Sequence, residues 1–238
     1  MTTSMSLKKW KKLGQLEREI SIYRKLAYKL GKVNIYTYGS NENSILNNER
    51  SIVIGAQKQS RLWRIKIKSA RIRSYLDYCW NFYNLFAKHI LFKSVDIIKT
   101  NQYRGSVFGV VIKKIYNKPL IVRMGWYHGH FKKLDRKKRI VEKWIFRNSD
   151  KIIITNKIAK EFICNSYNIK PESILVLPNS IDTDIFKPIN SFKDIDIIYV
   201  GRLHEEKNLD LLSSSIKLIK RPLNILIIGD GDIKIFEK

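Results

Sequence analysis

The 238-residue chain has few cysteines and no long apolar run, and both absences limit the kind of protein it can be. Its two cysteines, Cys79 and Cys164, lie far apart and have no Cys or His neighbours at metal-ligand spacing. Neither a zinc site nor a disulfide framework is indicated, and a reducing, cytoplasmic setting fits this cysteine usage best. No run of about 18 apolar residues is present, so the sequence predicts no membrane-spanning helix.

Acidic side chains are also scarce, with 21 Asp and Glu against 46 Lys and Arg, which gives a formal net charge of +25. A positive field of this size favours anionic partners such as nucleic acid, acidic lipid surfaces and phosphorylated small molecules. A chain of biased composition can also carry such a charge as solvated surface lysines. The charge alone therefore leaves all of these alternatives open.

Short apolar runs of β type alternate with helical periodicity along the whole chain. The predicted strands are Val33–Tyr38, Ser51–Ile54, Val95–Thr100, Leu120–Arg123, Lys151–Asn156, Ile174–Leu177, Ile195–Val200 and Asn224–Ile228. The predicted helices are Leu16–Leu30 with Gly31 as its cap, a segment over 76–90, Arg104–Tyr116, Arg136–Arg147, Ala159–Tyr167 and Asn208–Lys220. This alternation predicts an α/β, doubly wound fold with buried parallel strands.

A domain junction is predicted after the strand that ends at Pro178-Asn179-Ser180, because the segment Asp182–Pro188 is polar and turn-prone. Residues 1–185 are long enough for a complete Rossmann-like domain. Residues 186–238 hold only two predicted strands with their helices, so we expect the first part of a second Rossmann-like domain there.

The second part contains a strand, Ile195–Val200, that leads into a loop from Gly201 to Lys207 and then into a predicted helix. Ligands of open α/β sheets bind outside the carboxyl ends of the strands. Glycine permits close backbone approach, a helix N-terminus attracts anions, and Arg202 and Lys207 can clamp a diphosphate. Considered alone, these residues also fit an ordinary loop with surface charges.

Three motifs, in order, resemble those of glycosyltransferase family 4. Val176–Pro188 resembles the segment "viPNGvDtexFxP" and departs from it at Ser180, where the family usually has Gly. Tyr199–Lys207 is similar to the donor-phosphate motif "yvGRLxxeKg", with Asn208 where Gly is common. Ile227–Gly231 resembles the strand end "lvGdGp".

Two segments nearer the N-terminus resemble the same family. Gly14–Glu19 looks like the "G…RE" entry into the first helix, and Asp150–Thr155 is similar to the strand "aDxiivts". The resemblance implies a GT-B fold, with the acceptor on the domain of residues 1–185 and the nucleotide sugar mostly on the domain of residues 186–238.

The resemblance also implies a function, namely retaining, hexosyltransferase-type transfer from a nucleotide sugar to a glycan or lipid-linked acceptor in cell-surface polysaccharide synthesis. No metal or other cofactor is implied, because cationic side chains and helix dipoles can stabilise a leaving diphosphate. The residues implied for donor-phosphate binding are Gly14, Gly201, Arg202 and Lys207. His128, in the loop after the strand Leu120–Arg123, is the catalytic candidate; the alternative is a solvent-exposed loop histidine.

Two family features are missing from the sequence, the acidic "E-x7-E" element downstream of Gly231 and an apolar strand before Gly14. We therefore expect a fragment, truncated at the C-terminus and also at the N-terminus, that is inactive alone.

The segment Arg50–Leu76 contains eight Lys or Arg residues and no acidic residue, and the spacing of Leu62, Ile65 and Ile72 within it predicts a basic amphipathic helix. Such a helix can attach an enzyme peripherally to the anionic inner face of a membrane, as would suit a lipid-linked acceptor. The alternative is a packed helix whose cations face water. The residues predicted for the membrane surface are Arg61, Trp63, Arg64, Lys68 and Arg71.

The competing hypothesis from another class is a nucleic-acid-binding basic protein, which the charge and the aromatic residues among 75–92 favour. Those aromatics follow a helical core period, and no helix-turn-helix, RNA-recognition or zinc-finger signature is present, so no nucleic-acid partner is expected. A nicotinamide-dependent oxidoreductase is disfavoured because no strand precedes a Gly-x-Gly-x-x-Gly motif.

Overall fold

The computed structural model describes residues 6–40, 42–46, 52–57, 79–80, 82–83, 86–87, 89–101, 105–125, 135–184, 186–189 and 192–231. The chain divides into two compact units, Met1–Ser180 (unit 1) and Ile181–Lys238 (unit 2). The sequence predicted a boundary after residue 185.

Unit 1 alternates helices and strands, as the sequence predicts. In chain order its elements are α1 (Leu7–Lys12), α2 (Leu16–Leu30), β1 (Val33–Ser40), β2 (Ile52–Gln57), α3 (His89–Lys93), β3 (Ile98–Thr100), α4 (Ser106–Tyr116), β4 (Leu120–Arg123), α5 (Arg136–Arg147), β5 (Lys151–Ile154), α6 (Lys157–Tyr167) and β6 (Ile174–Val176). Strand β1 pairs in parallel with β2, and β3 to β6 form a four-stranded parallel sheet in chain order.

The main core of unit 1 lies between the four-stranded sheet and the helices α4, α5 and α6. Alternate residues of β4 and β5 are fully buried, which is the period expected of strands with a covered face. The helices add apolar residues at helical spacing, for example Ile145 and Phe146 on α5 and Ile163 on α6. This packing fixes the strand ends, where candidate ligand residues lie.

The N-terminal helix α1 was not predicted from the sequence. Ser6 caps it by accepting a hydrogen bond from the Lys9 amide, and the buried carboxylate of Glu42 accepts bonds from the Leu7 and Lys8 amides at 3.1 and 2.9 Å. A six-residue helix is marginal by itself, so it depends on this carboxylate from a distant part of the chain.

Helix α2 agrees with its predicted bounds, and Gly31 ends it with a φ of 80°. Leu16, Ile20 and Ala27 are buried as its periodicity indicates. Leu30 is 68% exposed, however, although it shares their face in the sequence pattern. Leu30 is the last residue of the helix and lies almost one turn beyond Ala27, its last buried residue.

Unit 2 consists of β7 (Ile197–Val200), a single 3-10 turn (Glu205–Lys207), α7 (Leu209–Lys217) and β8 (Ile225–Ile228). The two strands pair in parallel, with Ile197 opposite Ile225 and Val200 opposite Ile228. Within the residues that the structure describes, no helix has the length and apolar character needed to cross a membrane.

Candidate functional site

The loop that follows β7 is held against the segment that follows β8. The amide of Gly201 donates to the carbonyl of Ile228 at 2.9 Å, and that of Leu203 donates to the carbonyl of Asp230 at 3.0 Å. Leu203 also forms a parallel bridge with Gly231. The motif after β7 and the motif after β8 therefore form one structural element at the carboxyl end of this small sheet.

The glycines of this element are required by close packing. A Cβ at Gly229 would collide with the carbonyl oxygen of Gly201. A Cβ at Gly231 would collide with the carbonyl oxygen of Leu203, and Gly231 has a φ of 145° that side chains rarely adopt. The Gly-Asp-Gly signal in the sequence thus marks the place where two strand extensions touch.

Helix α7 begins immediately after the 3-10 turn, at a residue in the left-handed conformation. Asn208 has a φ of 50° and stands where the resembling family commonly has Gly. Asparagine is one of the residues that adopt the left-handed conformation most readily. Asn208 can therefore replace Gly without a change in the backbone conformation at this position. Leu203 and Leu209 are buried on either side of the turn and anchor it.

Gly201, Arg202 and Lys207, predicted as donor-phosphate residues, all lie in this one loop. The side chains of Arg202 and Lys207 are exposed to solvent, and the carbonyl of Arg202 accepts a hydrogen bond from the Tyr199 hydroxyl at 2.8 Å. The loop lies between the carboxyl end of a parallel strand and the start of a helix. Both positions favour anionic ligands.

Gly14, the other predicted donor-phosphate residue, belongs to unit 1. It lies in the turn between α1 and α2, where its amide donates to the Lys11 carbonyl at 3.1 Å. Its φ of 66° accounts for glycine at this position. Gly14 therefore follows a helix, and its role in phosphate binding stays a prediction.

A second polar cluster lies at the carboxyl edge of the four-stranded sheet in unit 1. Arg123 is the last residue of β4; its Nη1 donates to Asn101 Oδ1 at 3.3 Å, and its Nη2 donates to Asn179 Oδ1 at 3.0 Å. Asn101 follows β3 directly and Asn179 lies three residues after β6. The ends of three strands thus converge on one guanidinium.

Lys99, in β3, extends this cluster towards α2. Its Nζ donates to the Tyr23 hydroxyl at 3.4 Å and lies 5.3 Å from the centre of the Tyr23 ring. Although the side chain as a whole is exposed, burial of its ammonium end and then the charge of Arg123 lower the pKa of Lys99 to about 8. Partial burial raises the pKa of Tyr23 to about 12, so this hydroxyl is neutral at neutral pH.

Two of the predicted sites lie outside the described residues. His128 is one of them; the nearest described residue before it is Gly125, whose carbonyl accepts a hydrogen bond from Thr155 Oγ1 at 3.3 Å. The whole membrane-surface set also falls outside the described part: Arg61, Trp63, Arg64, Lys68 and Arg71. Both assignments stay predictions.

The cluster around Arg123 was not singled out from the sequence. Its members come from strands that are far apart in the chain, so no short motif contains them. The available signal was positional, because Asn101, Arg123 and Asn179 all lie at or just after predicted strand ends, and those ends share one edge of a parallel sheet.

Residues 26–185 match the family described as Glycosyltransferase Family 4, and this range is more than half of the 238 residues. The chain belongs to glycosyltransferase family 4. The family predicted from the sequence is thereby confirmed.

Solved structures support the α/β fold of GT-B type that the sequence predicts. The crystal structure of Anabaena Alr3699/HepE in complex with UDP superposes with a TM-score of 0.60 at 14% identity, over 84% of this chain and 54% of that one. A glycosyltransferase from Rickettsia africae ESF-5 gives a TM-score of 0.59 at 17% identity, over 91% of this chain and 57% of that one. The predicted α/β fold of GT-B type is therefore confirmed.

This chain spans about half the length of the solved proteins that it resembles. Anabaena Alr3699/HepE has also been crystallised with UDP-glucose, and that structure gives a TM-score of 0.55 at 12% identity, over 83% of this chain and 52% of that one. No curated protein matches the chain in sequence.

Proposed function

We propose that the protein acts in retaining transfer of a sugar from a nucleotide-sugar donor to a glycan or lipid-linked acceptor, in the synthesis of a cell-surface polysaccharide. The observation that carries this proposal is the loop from Gly201 to Lys207, which combines two exposed cations with the start of α7 at the carboxyl end of β7. Membership of glycosyltransferase family 4 supports it.

In the proposed reaction, the donor diphosphate occupies the loop after β7. Arg202 and Lys207 stabilise the negative charge that develops as the bond between the sugar and the diphosphate breaks. The positive end of the α7 dipole acts in the same direction. The acceptor hydroxyl attacks from the side of the departing phosphate, whose oxygen takes the hydroxyl proton, so the configuration of the sugar is retained. Because two cations and a helix terminus flank the proposed diphosphate position, we propose that no metal ion is needed.

A uridine diphosphate sugar is the first donor to test, because Anabaena Alr3699/HepE is known with UDP and with UDP-glucose. The decisive experiment is a calorimetric titration of this chain with UDP-glucose, other nucleotide sugars and a DNA duplex. We expect one nucleotide sugar to bind, and Arg202→Ala or Lys207→Ala to weaken it at least about tenfold. Chelation of divalent cations should leave the affinity unchanged.

Lys220→Ala is the matched control, since it removes one positive charge from an exposed position after α7. Equal affinity in Arg202→Ala, Lys207→Ala and the unmodified chain would remove the phosphate-clamp assignment. Tight binding of the duplex with no binding of any nucleotide sugar would favour the nucleic-acid hypothesis instead.

We also propose that the basic segment at 61–71 attaches the protein peripherally to an anionic membrane, at its inner face. The proposal is supported by the run of Lys and Arg without acidic residues. The protein should sediment with vesicles that contain acidic lipid and be released by about 0.5 M salt, which screens charges beyond a few ångströms. Equal sedimentation with neutral vesicles would contradict it.

A further inference from the structure

The polar cluster around Arg123 and Lys99 is not used by the donor-side proposal. It lies at the carboxyl edge of β3 and β4 in unit 1, the edge at which parallel sheets bind their ligands. Its side chains come from α2, from β3, from β4 and from the segment after β6. Such convergence from four parts of the chain orients the groups more rigidly than one surface loop would.

The groups that hold the two cations are neutral. Arg123 is bonded to the amide oxygens of Asn101 and Asn179, and Lys99 to the hydroxyl of Tyr23. Glu19 attracts Lys99 electrostatically, but its carboxylate is 2.9 Å from the guanidinium of Arg18. The bonds that position Arg123 and Lys99 therefore leave their positive charges uncancelled.

The two cations also repel each other. Burial of the ammonium group, and after it the charge of Arg123, lower the pKa of Lys99 to about 8. When no anion is bound, the repulsion between these two cations raises the energy of the site. A bound anion would offset this repulsion.

The asparagines can also supply hydrogen-bond donors. Each turns its Oδ1 towards the Arg123 guanidinium, which leaves its Nδ2 as the donor of the side chain. A guanidinium has five N–H donors in a planar fork, so after two bonds to amides it still presents donors that match phosphate oxygens.

We propose that Arg123 and Lys99, positioned by Asn101 and Asn179, bind the phosphate group of a phosphate-bearing acceptor at this edge of unit 1. The inference rests on the proposed function, because it assigns the substrate class on the acceptor side. Binding of phosphate can nevertheless be measured without a donor and without any transfer, so the two proposals can fail separately.

The test is calorimetric titration of the 238-residue chain with inorganic phosphate at constant ionic strength. All proteins carry Arg202→Ala and Lys207→Ala, so that phosphate binding in unit 2 is suppressed. Arg123→Gln and Lys99→Gln should each weaken the binding at least about tenfold. Asn179→Asp should do the same, because it places a carboxylate of nearly the same shape against the guanidinium and cancels its charge.

Lys151→Gln is the matched control, since Lys151 lies at the amino end of β5 on the same sheet, where its Nζ donates to the Glu172 carbonyl at 3.0 Å. It should change the affinity less than about twofold. Thermal unfolding verifies that each variant is folded, and the near-isosteric Asn179→Asp keeps the test valid if Arg123→Gln unfolds. Equal binding by all variants, or equal loss in Lys151→Gln, would overturn the proposal.

A second titration, with a short-chain phosphatidate below its critical micelle concentration, distinguishes two sources of the phosphate. Binding tighter than that of inorganic phosphate, and lost in Asn179→Asp, supports the site and assigns it to a lipid-borne phosphate. Equal affinities that are both lost in Asn179→Asp support the site and assign it to a soluble phosphate. Phosphatidate binding that is unchanged in Asn179→Asp counts against the site.

Discussion

The strands of unit 1 and unit 2 are similar in sequence but differ in how much protein covers them. Strand β5 reads Lys-Ile-Ile-Ile and strand β8 reads Ile-Leu-Ile-Ile. In β5, Ile152 and Ile154 are 0% and 1% exposed, whereas in β8, Ile225 and Ile228 are 38% and 48% exposed.

The neighbours of each strand explain this difference. Strand β5 pairs with β4 on one side and β6 on the other, and helices pack on the sheet. Strand β8 pairs with β7 alone among the described residues. An apolar run thus determines that a strand forms, while the number of adjacent layers determines how much stability its burial contributes.

Hydrogen exchange should show the largest contrast between the two units. We expect amides of β5 to exchange at least about a thousandfold more slowly than those of β8, because exchange from buried central strands requires wider unfolding. Limited proteolysis should likewise cut residues after Ile189 first. Mass spectrometry of peptides from each strand measures the rates, with the edge strand β3 as an internal control. Equal protection of β5 and β8 would contradict the comparison.

Matched truncations should give the next largest contrast. Ile152→Ala removes a fully buried side chain from the core of unit 1 and should lower its free energy of unfolding by about 2–5 kcal/mol. Ile227→Ala removes the same atoms from a strand whose four residues are all exposed, and should change the stability of unit 2 by less than about 1 kcal/mol. Urea denaturation monitored by hydrogen exchange in each unit separates the two effects. Similar losses of stability in the two variants would contradict the link between exposure of a strand and its contribution to stability.

The same physics explains which parts of the fold the sequence predicts. Strands β4, β5 and β8 and helix α5 lie within two residues of their predicted bounds, because their apolar periodicity is local. Helix α1 was missed because its first amides are satisfied by Glu42, 34 or 35 residues away. A bond of that range leaves no periodic signal in the sequence.

The two candidate sites likewise differ in how far they can be predicted from the sequence. Gly201, Arg202 and Lys207 were recognisable because one loop contains them all. The cluster of Lys99, Arg123 and Asn179 required the parallel register of the sheet, which brings β3 and β4 side by side. Residue spacing gives no information about such a cluster until the strand order is known.

Each unit has an aspartate just before a strand, and the pair offers a finer test of the comparison. Asp150 Oδ2 accepts from the Leu120 amide at 2.6 Å and from Lys113 Nζ at 2.5 Å. Asp196 accepts from the Asn224 amide at 2.9 Å and pairs with Arg221 at 2.7 Å. Both therefore fix the start of a neighbouring strand.

Asp150→Asn should destabilise unit 1 by about 1 kcal/mol, the usual contribution of such bonds at a half-exposed site. Partial burial opposes ionisation, but the bonds to Lys113 and Leu120 prevail and lower the pKa of Asp150. Its stabilisation is therefore complete above the ordinary carboxyl pKa and is lost as the pH falls through the lowered value.

Asp196→Asn is the counterpart in unit 2 and should destabilise that unit less. The bond to Arg221 is the main cause that lowers the pKa of Asp196. Because this bond is open to solvent, it contributes less to stability. Acid titrations of stability for both variants and for Asp96→Asn, an exposed control before β3, measure the difference. An Asp196→Asn loss as large as that of Asp150→Asn would contradict the role assigned to burial.

The smallest expected effect concerns Lys99 of unit 1, whose Nζ lies 5.3 Å from the centre of the Tyr23 ring. Because the pKa of Lys99 falls to about 8 on folding, the unfolded chain binds more protons than the folded chain between pH 8 and the ordinary lysine value of 10.5. Stability from this group therefore rises with pH across that window. Lys99→Met should raise the Tm of unit 1 at neutral pH, and this gain over the unmodified protein should shrink as the pH approaches 10.5. Thermal unfolding from neutral to alkaline pH, with Lys151→Met as the charge-matched control, measures the gain. The same pH-dependent gain in Lys151→Met would show that net charge, and not the position of Lys99 beside Arg123, is responsible.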